Sequence, residues 1–272
     1  GASAFKGFFD MSTVVIIPAR YQSSRFPGKP LAKVRGKSVI QRVWELGRAA
    51  MEVDHVYVAT DHQEIADHAE GFGADVIMTS EHCRNGTERV AEAAETLSSP
   101  PEIIINLQGD APLTPPWFIT ALADAMKNDP SVQMATPALA CDEATYRHFR
   151  EDRLAGRVGG TTVVFDRNGN ALYFSKEVLP YIPEDRNVGA RPPVFHHVGL
   201  YAYRWPLLKA YPTWESGPLE QLEQLEQLRV LENGHPIRMV QVDARNRTFW
   251  ESNQAVDIAR IEAILDEEGE LI

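Results

Sequence analysis

The sequence predicts an α/β protein with a mostly parallel central sheet, helices on both faces, and a smaller antiparallel part. First, strand-like runs alternate with helical runs through short links over the first half of the chain, which is typical of a parallel sheet. Second, these strand-like runs are almost continuously apolar, as strands covered on both faces are. Third, later runs flank a Gly-containing turn, which favours antiparallel pairing.

The predicted strands of the first half are TVVIIPAR, DHVYVATD, DVIMTS and EIIINLQGD. Helical runs follow them: one begins after Ser38 as an N-cap, one stops at Gly73, and PPWFITALADAMKND opens with prolines. Because ligands bind beyond the carboxyl ends of the strands in such sheets, we expect Arg20, Asp61 and Asp110 to lie on one rim.

The second half predicts a different arrangement. TTVVFDRNGNALYFSK predicts two antiparallel strands, HVGLYAYRW a further strand, PIRMVQVD another, and NQAVDIARIEAILDEE a closing helix. PLEQLEQLEQLRVLENG predicts one helix ending at Gly234, although leucines three residues apart drift around a helix of about 3.6 residues per turn. We divide one domain, residues 11–272, into an α/β half (11–140), an antiparallel part (141–217) and closing helices with a strand (218–272).

Composition and charge argue against several classes of protein. The 272 residues are 44% apolar and 24% charged, as in an ordinary globular protein, and the net charge of −11 disfavours nonspecific nucleic-acid or membrane binding. No apolar run is long enough to span a bilayer. Cys83 and Cys141 form no disulfide framework, which fits a reducing, cytoplasmic compartment. We interpret residues 1–10 as an extension or expression remnant, with Met11 as a natural start.

The loop after the first strand, PARYQSSRFPGKPLA, is basic. It brings Arg20, Arg25 and Lys29 close together, with Gly28 beside the lysine. Backbone amides near a glycine approach phosphate oxygens closely and cations neutralise them, so the composition suits a triphosphate. A solvated basic loop is the alternative, and the residues alone leave both open. Neither GxxxxGK[ST] nor GxGxxG occurs, which disfavours a P-loop protein and a dehydrogenase.

Seven motifs occur in a recognisable order: IPARYQSSRFPGKPL, YVATD, MTSEHCRNGTERVAE, INLQGDAPL, ALYFSK, HHVGLYAY and PLEQLEQLEQLRVL. Together they resemble the 3-deoxy-manno-octulosonate cytidylyltransferases, or CMP-Kdo synthetases, over almost everything from Thr13 to about Ile261. The resemblance implies a Rossmann-like nucleotidyltransferase fold, with CTP in the first half, an antiparallel part that serves the acceptor and dimerisation, and a homodimer. It also implies that a sugar acid, Kdo by default, attacks CTP and releases pyrophosphate. The CMP-sugar would serve lipopolysaccharide or capsule precursor synthesis in the cytoplasm.

The resemblance also implies the site residues, with positioning and charge neutralisation dominating catalysis. The implied catalytic residues are Arg20, Lys29 and Asp110. The residues implied for CTP are Arg20, Ser23, Arg25, Lys29, Asp61, Asn85, Gly86, Thr87, Arg89 and Gln108. The residues implied for the sugar acid are His197, Tyr201, Glu226 and Gln227.

Mg²⁺ is the implied cofactor. It prefers oxygen ligands and is usually held by one or two carboxylates together with substrate phosphates. Asp110, at the end of a predicted strand, is the first carboxylate. Alignment without gaps from Arg229 puts Glu251 where the family has a second, an aspartate. A surface glutamate before a helix is the alternative.

Two further positions depart from the family pattern. Ala111 stands where a glutamate is usual, and Thr162 where a lysine is usual. Both lie toward the acceptor side, so either the acceptor differs from Kdo or another cation replaces the lysine. The candidates for that cation are Arg157, Arg186 and Arg191.

Other interpretations of the same residues stay open. His197 fits a satisfied core histidine, and Glu226 fits a solvated helix face, which we expect for its neighbours Glu220 and Glu223. Cys83 is expected to be a passive side chain, because no base is placed beside it by sequence. For the whole chain, one alternative is a cytidylyltransferase for an amino-Kdo or another nonulosonic acid, and another is a nucleotide-binding protein without turnover.

Overall fold

The computed structural model describes the backbone of residues 10–272 and the side chains from Ser12 onward. Apart from the backbone of Asp10, which begins the first strand, the interpretation of residues 1–10 lies outside the described residues. Within the described range, ten strands form one sheet, and none of the helices found there is both long and apolar enough to cross a membrane.

Strands and helices alternate through the first half, as the sequence predicts. The strands of this half are β1 (Asp10–Ala19), β2 (Lys33–Val34), β3 (Lys37–Ser38), β4 (His55–Thr60), β5 (Asp75–Met78), β6 (Pro101–Leu107) and β7 (Met134–Ala140). The helices are α1 (Val39–Ala49), α2 (Gln63–Gly71), α3 (Gly86–Glu95) and α4 (Pro116–Asn128). β1 pairs in parallel with β4 and β6, and β4 with β5, while the short β2 and β3 form a separate hairpin.

β1 is buried on both faces of the sheet. Val15 and Ile17 pack into one hydrophobic core, whereas Val14 and Ile16 pack into the other. Successive residues of a strand point to opposite faces, so a continuously apolar strand serves two layers of helices. This arrangement confirms the predicted α/β class.

The second half extends the same sheet. Its strands are β8 (Thr162–Phe165), β9 (Ala171–Ser175), β10 (Phe195–His197), β11 (Leu200–Tyr203) and β12 (Arg238–Val242). Its helices are α5 (Glu143–Leu154), α6 (Trp205–Ala210), α7 (Pro218–Glu223), α8 (Leu228–Glu232) and α9 (Ala255–Glu268). The strand order is β5-β4-β1-β6-β11-β7-β10-β8-β9, with β12 added in parallel to β7. β8 to β11 pair antiparallel, as predicted. The division at residues 140 and 217 stays a prediction.

The predicted single strand HVGLYAYRW is wrong in one respect. The strand is interrupted at residues 198–199, and its two parts, β10 and β11, pair with opposite edges of β7. His197 and Tyr201 nevertheless come together, with ring centroids 5.7 Å apart.

The predicted single helix at residues 218–234 is also wrong. It consists of α7 and α8, separated by residues 224–227, the first of which, Gln224, has a left-handed φ of 55°. The N–H of Gln224 donates to Glu220 O at 2.7 Å and ends the first helix. A straight helix cannot bury leucines spaced by three on one face, and after the break Leu228 is wholly buried while Leu222 stays 82% exposed.

Candidate active site

A cleft of about 220 Å³ opens where β1 and β6 end. The loop after β1, the first turn of α3 and the residues after β6 form its walls. Of the predicted site residues, it is lined by Arg20, Ser23, Lys29, Asn85, Gly86, Arg89, Gln108 and Asp110. The expectation of a ligand rim at the carboxyl ends of parallel strands thus corresponds to a real concavity.

The basic loop is held against the sheet by its backbone and one aromatic stack. Gly28 has a left-handed φ of 69° and donates its N–H to Tyr21 O at 3.0 Å. The Tyr21 ring stacks on His62 with centroids 4.2 Å apart. A glycine suits this backbone conformation, and the turn delivers Lys29 to the cleft.

Gly109 lets the cleft wall close tightly. A Cβ at this position would lie 2.6 Å from Pro18 O, a backbone atom of β1. The glycine after Gln108 therefore serves close packing between two strand ends.

Asp110 and Glu251 meet at the end of β6. Ser252 donates its N–H and its hydroxyl to Asp110 O at 2.8 and 3.0 Å, which brings the preceding Glu251 alongside. Burial, and then the charge of Asp110, raise the pKa of Glu251, while the charge of Lys29 opposes the rise. Lys29 Nζ lies 2.7 Å from Asp110 Oδ2. The structure therefore brings together the two carboxylates predicted for the metal.

This pair suits Mg²⁺ chemically. Two neighbouring carboxylates, one of which resists ionisation because of burial and then because of the other's charge, are stabilised by a divalent cation. Among the described residues, no group of three His, Cys, Asp or Glu side chains is placed to hold a metal ion. The further ligands would then be water and phosphate oxygens, which is usual for Mg²⁺.

Arg89 lines the cleft, whereas Asp61 lies outside its lining and forms an ion pair with Arg89. Arg89 Nη2 lies 3.4 Å from Asp61 Oδ2, and Nη1 donates to Thr79 Oγ1 at 2.6 Å. Cys83, beside them, donates to Glu92 Oε2 at 3.1 Å. Burial and this hydrogen bond raise the pKa of the thiol to about 12, which fits the expected passive role.

Three of the predicted sugar-acid residues form one hydrogen-bonded chain. The Tyr201 hydroxyl donates to Gln227 Oε1 at 3.2 Å, and Gln227 Nε2 donates to His197 Nδ1 at 3.4 Å. His197 Nε2 then lies 2.8 Å from Thr136 Oγ1, whose hydroxyl donates to Leu200 O at 2.7 Å. Burial lowers the pKa of His197 to about 3. The low pKa favours a neutral imidazole, and a hydrogen bond from the Gln227 amide to Nδ1 favours the tautomer with its proton on Nε2.

Glu226 lies at the junction of the two halves of the site. Its Oε2 accepts the N–H of Thr87 at 3.3 Å. Burial raises the pKa of Glu226 to about 7. The pKa values of Tyr201 and Tyr203 are raised by burial and then by the charge of Glu226. Tyr203 in turn hydrogen-bonds Thr87 Oγ1 at 3.0 Å. Glu226 is therefore no solvated helix residue, and it links the loop predicted for the nucleotide to the residues predicted for the sugar acid.

The expectation that Glu220 and Glu223 are solvated is wrong. Glu220 is 8% exposed and pairs with Arg229. Glu223 accepts hydrogen bonds from Tyr173, Ser175 and the N–H of Lys176. The break after α7 turns both carboxylates toward the protein.

Arg25 lies outside the cleft lining and is exposed. The pKa of Lys176 is lowered, mainly by burial. The charge of Glu223 opposes this shift, and the charge of Arg25 adds to it. Phe174 packs edge-on against His197 at 4.8 Å, and Lys176 follows two residues later. Lys176 directly follows β9, and the charges of Glu223 and Arg25 both act on it, so it lies near the basic loop. Sequence reasoning missed it, although the ALYFSK motif contains it.

The departures from the family pattern are buried. Ala111 and Thr162 are both 0% exposed. The Thr162 hydroxyl donates to Glu177 O at 2.6 Å and accepts the N–H of Leu179 at 3.1 Å. The hydroxyl thus has backbone partners on both sides.

The three candidate cations have different surroundings. Arg157 pairs with Asp152 at 2.7 Å, and Arg186 lines a separate cavity of about 400 Å³ between Pro180 and Pro193. Arg191 is exposed.

A mixed sheet covered on both faces, with a basic cleft and a carboxylate pair at the ends of its parallel strands, is typical of nucleotide-handling enzymes of the nucleotidyltransferase class. Residues 14–237 match the family model described as cytidylyltransferase. A relative from Maricaulis maris (strain MCS10), named 3-deoxy-manno-octulosonate cytidylyltransferase, is 47% identical over 262 residues, 96% of this chain and 100% of the relative. The chain belongs to the 3-deoxy-manno-octulosonate cytidylyltransferase family.

Two further comparisons agree. An Arabidopsis thaliana protein named 3-deoxy-manno-octulosonate cytidylyltransferase, mitochondrial, is 40% identical over 98% of this chain and 89% of its own length. A solved structure described as CMP:2-keto-3-deoxy-manno-octonic acid synthetase complexed with CTP superimposes with a TM-score of 0.81 at 34% identity, covering 94% of this chain and 99% of the other. The resemblance drawn from the seven motifs is confirmed, and so are the fold and the enzyme class.

Proposed function

We propose that the protein joins CTP to 3-deoxy-manno-octulosonate, giving the CMP-sugar and pyrophosphate. The anomeric oxygen forms a bond to the α-phosphorus, the bond from that phosphorus to the β-phosphate oxygen breaks, and the hydroxyl proton is lost. One observation carries the proposal. Asp110, with Lys29 at 2.7 Å and Glu251 beside it, lines the cleft together with Arg20 and Ser23 of the basic loop.

The nucleotide side neutralises and orients the triphosphate. Arg20 and Lys29 supply positive charge in the cleft, and the Gly109 backbone packs closely against β1 without a side chain. Asn85 caps α3 by accepting the N–H of Glu88, so this helix starts at the cleft with its positive dipole end. Such fixed charges lower the barrier of phosphoryl transfer mainly by position and electrostatics.

Mg²⁺, held by Asp110 and Glu251, is part of the proposal. When bound it would neutralise charge that develops on the phosphates and the leaving pyrophosphate. Asp110 would also hold the basic loop in place, because it pairs with Lys29.

The acceptor side suits a polyhydroxylated acid. Tyr201, Gln227 and Glu226 offer donors and acceptors that are themselves held by hydrogen bonds. Lys176 is the cation proposed for the acid's carboxylate, in place of the lysine that Thr162 replaces. Partial burial of Lys176 lowers its pKa and so disfavours the charged ammonium form. The carboxylate of a bound acid would stabilise that charged form.

The assembly and the cellular setting belong to the same proposal. Leu154 and Leu172, in the antiparallel part, are 84% and 63% exposed, which supports a homodimer contact there. Cys83 and Cys141 are free thiols, which supports a reducing, cytoplasmic setting. The product would feed lipopolysaccharide or capsule precursor synthesis.

The experiment is an acceptor panel with CTP and Mg²⁺, scored by pyrophosphate release and by the mass of the product. We expect 3-deoxy-manno-octulosonate to yield CMP-sugar and an equimolar amount of pyrophosphate. If only an amino-Kdo or another nonulosonic acid reacts, the acceptor is wrong and the reaction class stands. If CTP binds but no acid releases pyrophosphate, the protein binds nucleotide without turnover and the proposal fails.

A further inference from the structure

Arg229, at the start of α8, is a buried cation among three elements. Its guanidinium donates to both oxygens of Glu220 on α7, at 2.8 and 2.7 Å, and to Glu88 Oε1 on α3 at 2.9 Å. Its carbon Cζ lies 4.4 Å from the centroid of the Tyr211 ring. The residue is 2% exposed. A guanidinium buried this deeply needs partners in fixed positions, and its planar fork fixes them in return.

Glu88 extends this network to the nucleotide cleft. It accepts the N–H of Arg84 at 2.8 Å and Arg84 Nε at 2.8 Å. Its own N–H donates to Asn85 Oδ1 at 2.9 Å. Arg84 and Asn85 both line the cleft. The position of the Glu88 carboxylate therefore sets the shape of the loop that faces the nucleotide.

Tyr211 extends the network to the acceptor segment. Its hydroxyl donates to Glu226 O at 2.9 Å and accepts from Asn85 Nδ2 at 3.0 Å. The N–H of Arg229 donates to the same carbonyl at 3.3 Å. Gln227, the N-cap of α8, follows Glu226 directly. A shift of α8 thus moves both acceptor residues, and it also strains the contacts with the nucleotide loop.

We propose that Arg229 is a positioning residue that couples the nucleotide loop, residues 84–88, to the acceptor segment, residues 226–227. It lines neither the cleft nor the acceptor cluster and acts through Glu88, Glu220 and Tyr211. Bound CTP restricts the motion of the nucleotide loop. Through the contacts of Arg229, the acceptor segment is then held in its binding conformation, so the acid binds more tightly to the CTP-bound protein. This inference rests on the proposed function, since it assigns the two ligands to the two segments.

The test measures the affinity of 3-deoxy-manno-octulosonate by calorimetry with and without a CTP analogue. The analogue carries a methylene bridge between the α- and β-phosphorus and cannot release pyrophosphate. In the wild-type protein we expect the analogue to tighten acid binding by about 5- to 150-fold, the usual range of such coupling. In Arg229→Lys, which keeps the charge and loses the fork, we expect this factor to fall to about one.

Two further variants separate positioning from stability. Tyr211→Phe keeps the ring under the guanidinium and removes the hydroxyl that joins Asn85 to Glu226, so it too should lower the coupling factor. Arg204→Lys is the matched control, because Arg204 is a partly buried arginine bonded to Glu102 and to backbone carbonyls around Val132. It should keep the wild-type factor whatever it does to the melting temperature.

The outcomes distinguish the two proposals. If the wild-type protein makes no CMP-sugar, the proposed function fails. If it makes the product but shows no coupling, or if Arg229→Lys folds and keeps the wild-type factor, the inference about Arg229 is wrong. If Arg229→Lys does not fold, the result for Tyr211→Phe alone decides.

Discussion

The Lys29 ammonium nitrogen lies 2.7 Å from Asp110 Oδ2 and joins the basic loop after β1 to the end of β6. The two side chains are 18% and 27% exposed, so the pair is shielded on the protein side and open toward the cleft. Each side chain holds the other at a point where the proposed reaction needs its charge. The Lys29 ammonium is needed for the phosphates, and the Asp110 carboxylate is needed for the metal.

Glu251→Gln should raise the Mg²⁺ concentration that gives half-maximal activity. The change removes a carboxylate charge next to Asp110, whose field acts on Glu251. We expect at least about a tenfold rise, the lower end of what even supporting residues of metal sites cost. The measurement is a Mg²⁺ titration of pyrophosphate release. Glu267→Gln, on the exposed side of α9, is the control. An unchanged titration for Glu251→Gln would show that this residue does not hold the metal.

Gly109→Ala should lower stability and CTP binding together. The added Cβ would lie 2.6 Å from Pro18 O, so the ends of β1 and β6 must separate. We expect a loss of about 1–3 kcal/mol in the free energy of unfolding, measured by urea denaturation. Gly71→Ala is the control, since nothing lies within 4 Å of its Cβ. Equal effects of the two changes would refute a tight wall at Gly109.

Lys176→Gln should raise the KM for the sugar acid and leave the KM for CTP near its original value. A hydrogen bond to a charged group contributes about 1.5–3 kcal/mol, which corresponds to a rise of about 10- to 150-fold. Steady-state kinetics with each substrate varied in turn give both constants. Lys209→Gln, an exposed residue on α6, serves as the reference. A rise confined to CTP would instead assign Lys176 to the phosphates.

Glu226 should make the protein without CTP or Mg²⁺ less stable as the pH rises. Its pKa in the folded protein is about 7 because of burial, above the value of about 4.3 in an unfolded chain. The stability linked to its proton is therefore complete below about pH 4 and is lost as the pH rises through 7.

The comparison is urea unfolding at pH 5 and at pH 8 for the wild-type protein and for Glu226→Gln. The wild-type protein should lose about 2–3 kcal/mol more between these values than the variant does. Glu251, whose pKa is also raised, contributes equally to both proteins and cancels. Equal losses in the two proteins would mean that Glu226 is ionised in the fold at low cost.

Local patterns were enough to predict the sheet and its rim. The continuous apolar runs of β1 and β6 bury alternate residues in two cores, and this burial on both faces is what makes Asp110 emerge at a strand end. The motif resemblance then supplied Glu251, which no local pattern identifies. Only the fold brings it beside Asp110, through the two hydrogen bonds of Ser252.

The missed features depend on contacts between distant parts of the chain. The EQL triplets gave no signal that Gln224 would adopt a left-handed φ of 55° and end α7. The break places Glu220 on Arg229 and Glu226 on Thr87, partners more than a hundred residues apart in the second case. Lys176 was overlooked because its partial burial, and the nearness of Arg25, follow from packing.

The most direct test of the central claim is the rate of pyrophosphate release by Asp110→Asn with CTP, Mg²⁺ and 3-deoxy-manno-octulosonate. The change keeps the size of the side chain and removes the charge that faces Lys29 and the metal. We expect turnover to fall at least about 100-fold, as when an electrostatic group of a site is removed, with circular dichroism and melting unchanged. Asp124→Asn, exposed on α4, should behave as the wild type. Turnover of Asp110→Asn within a few-fold of the wild-type rate would contradict the assignment of Asp110 to the reaction.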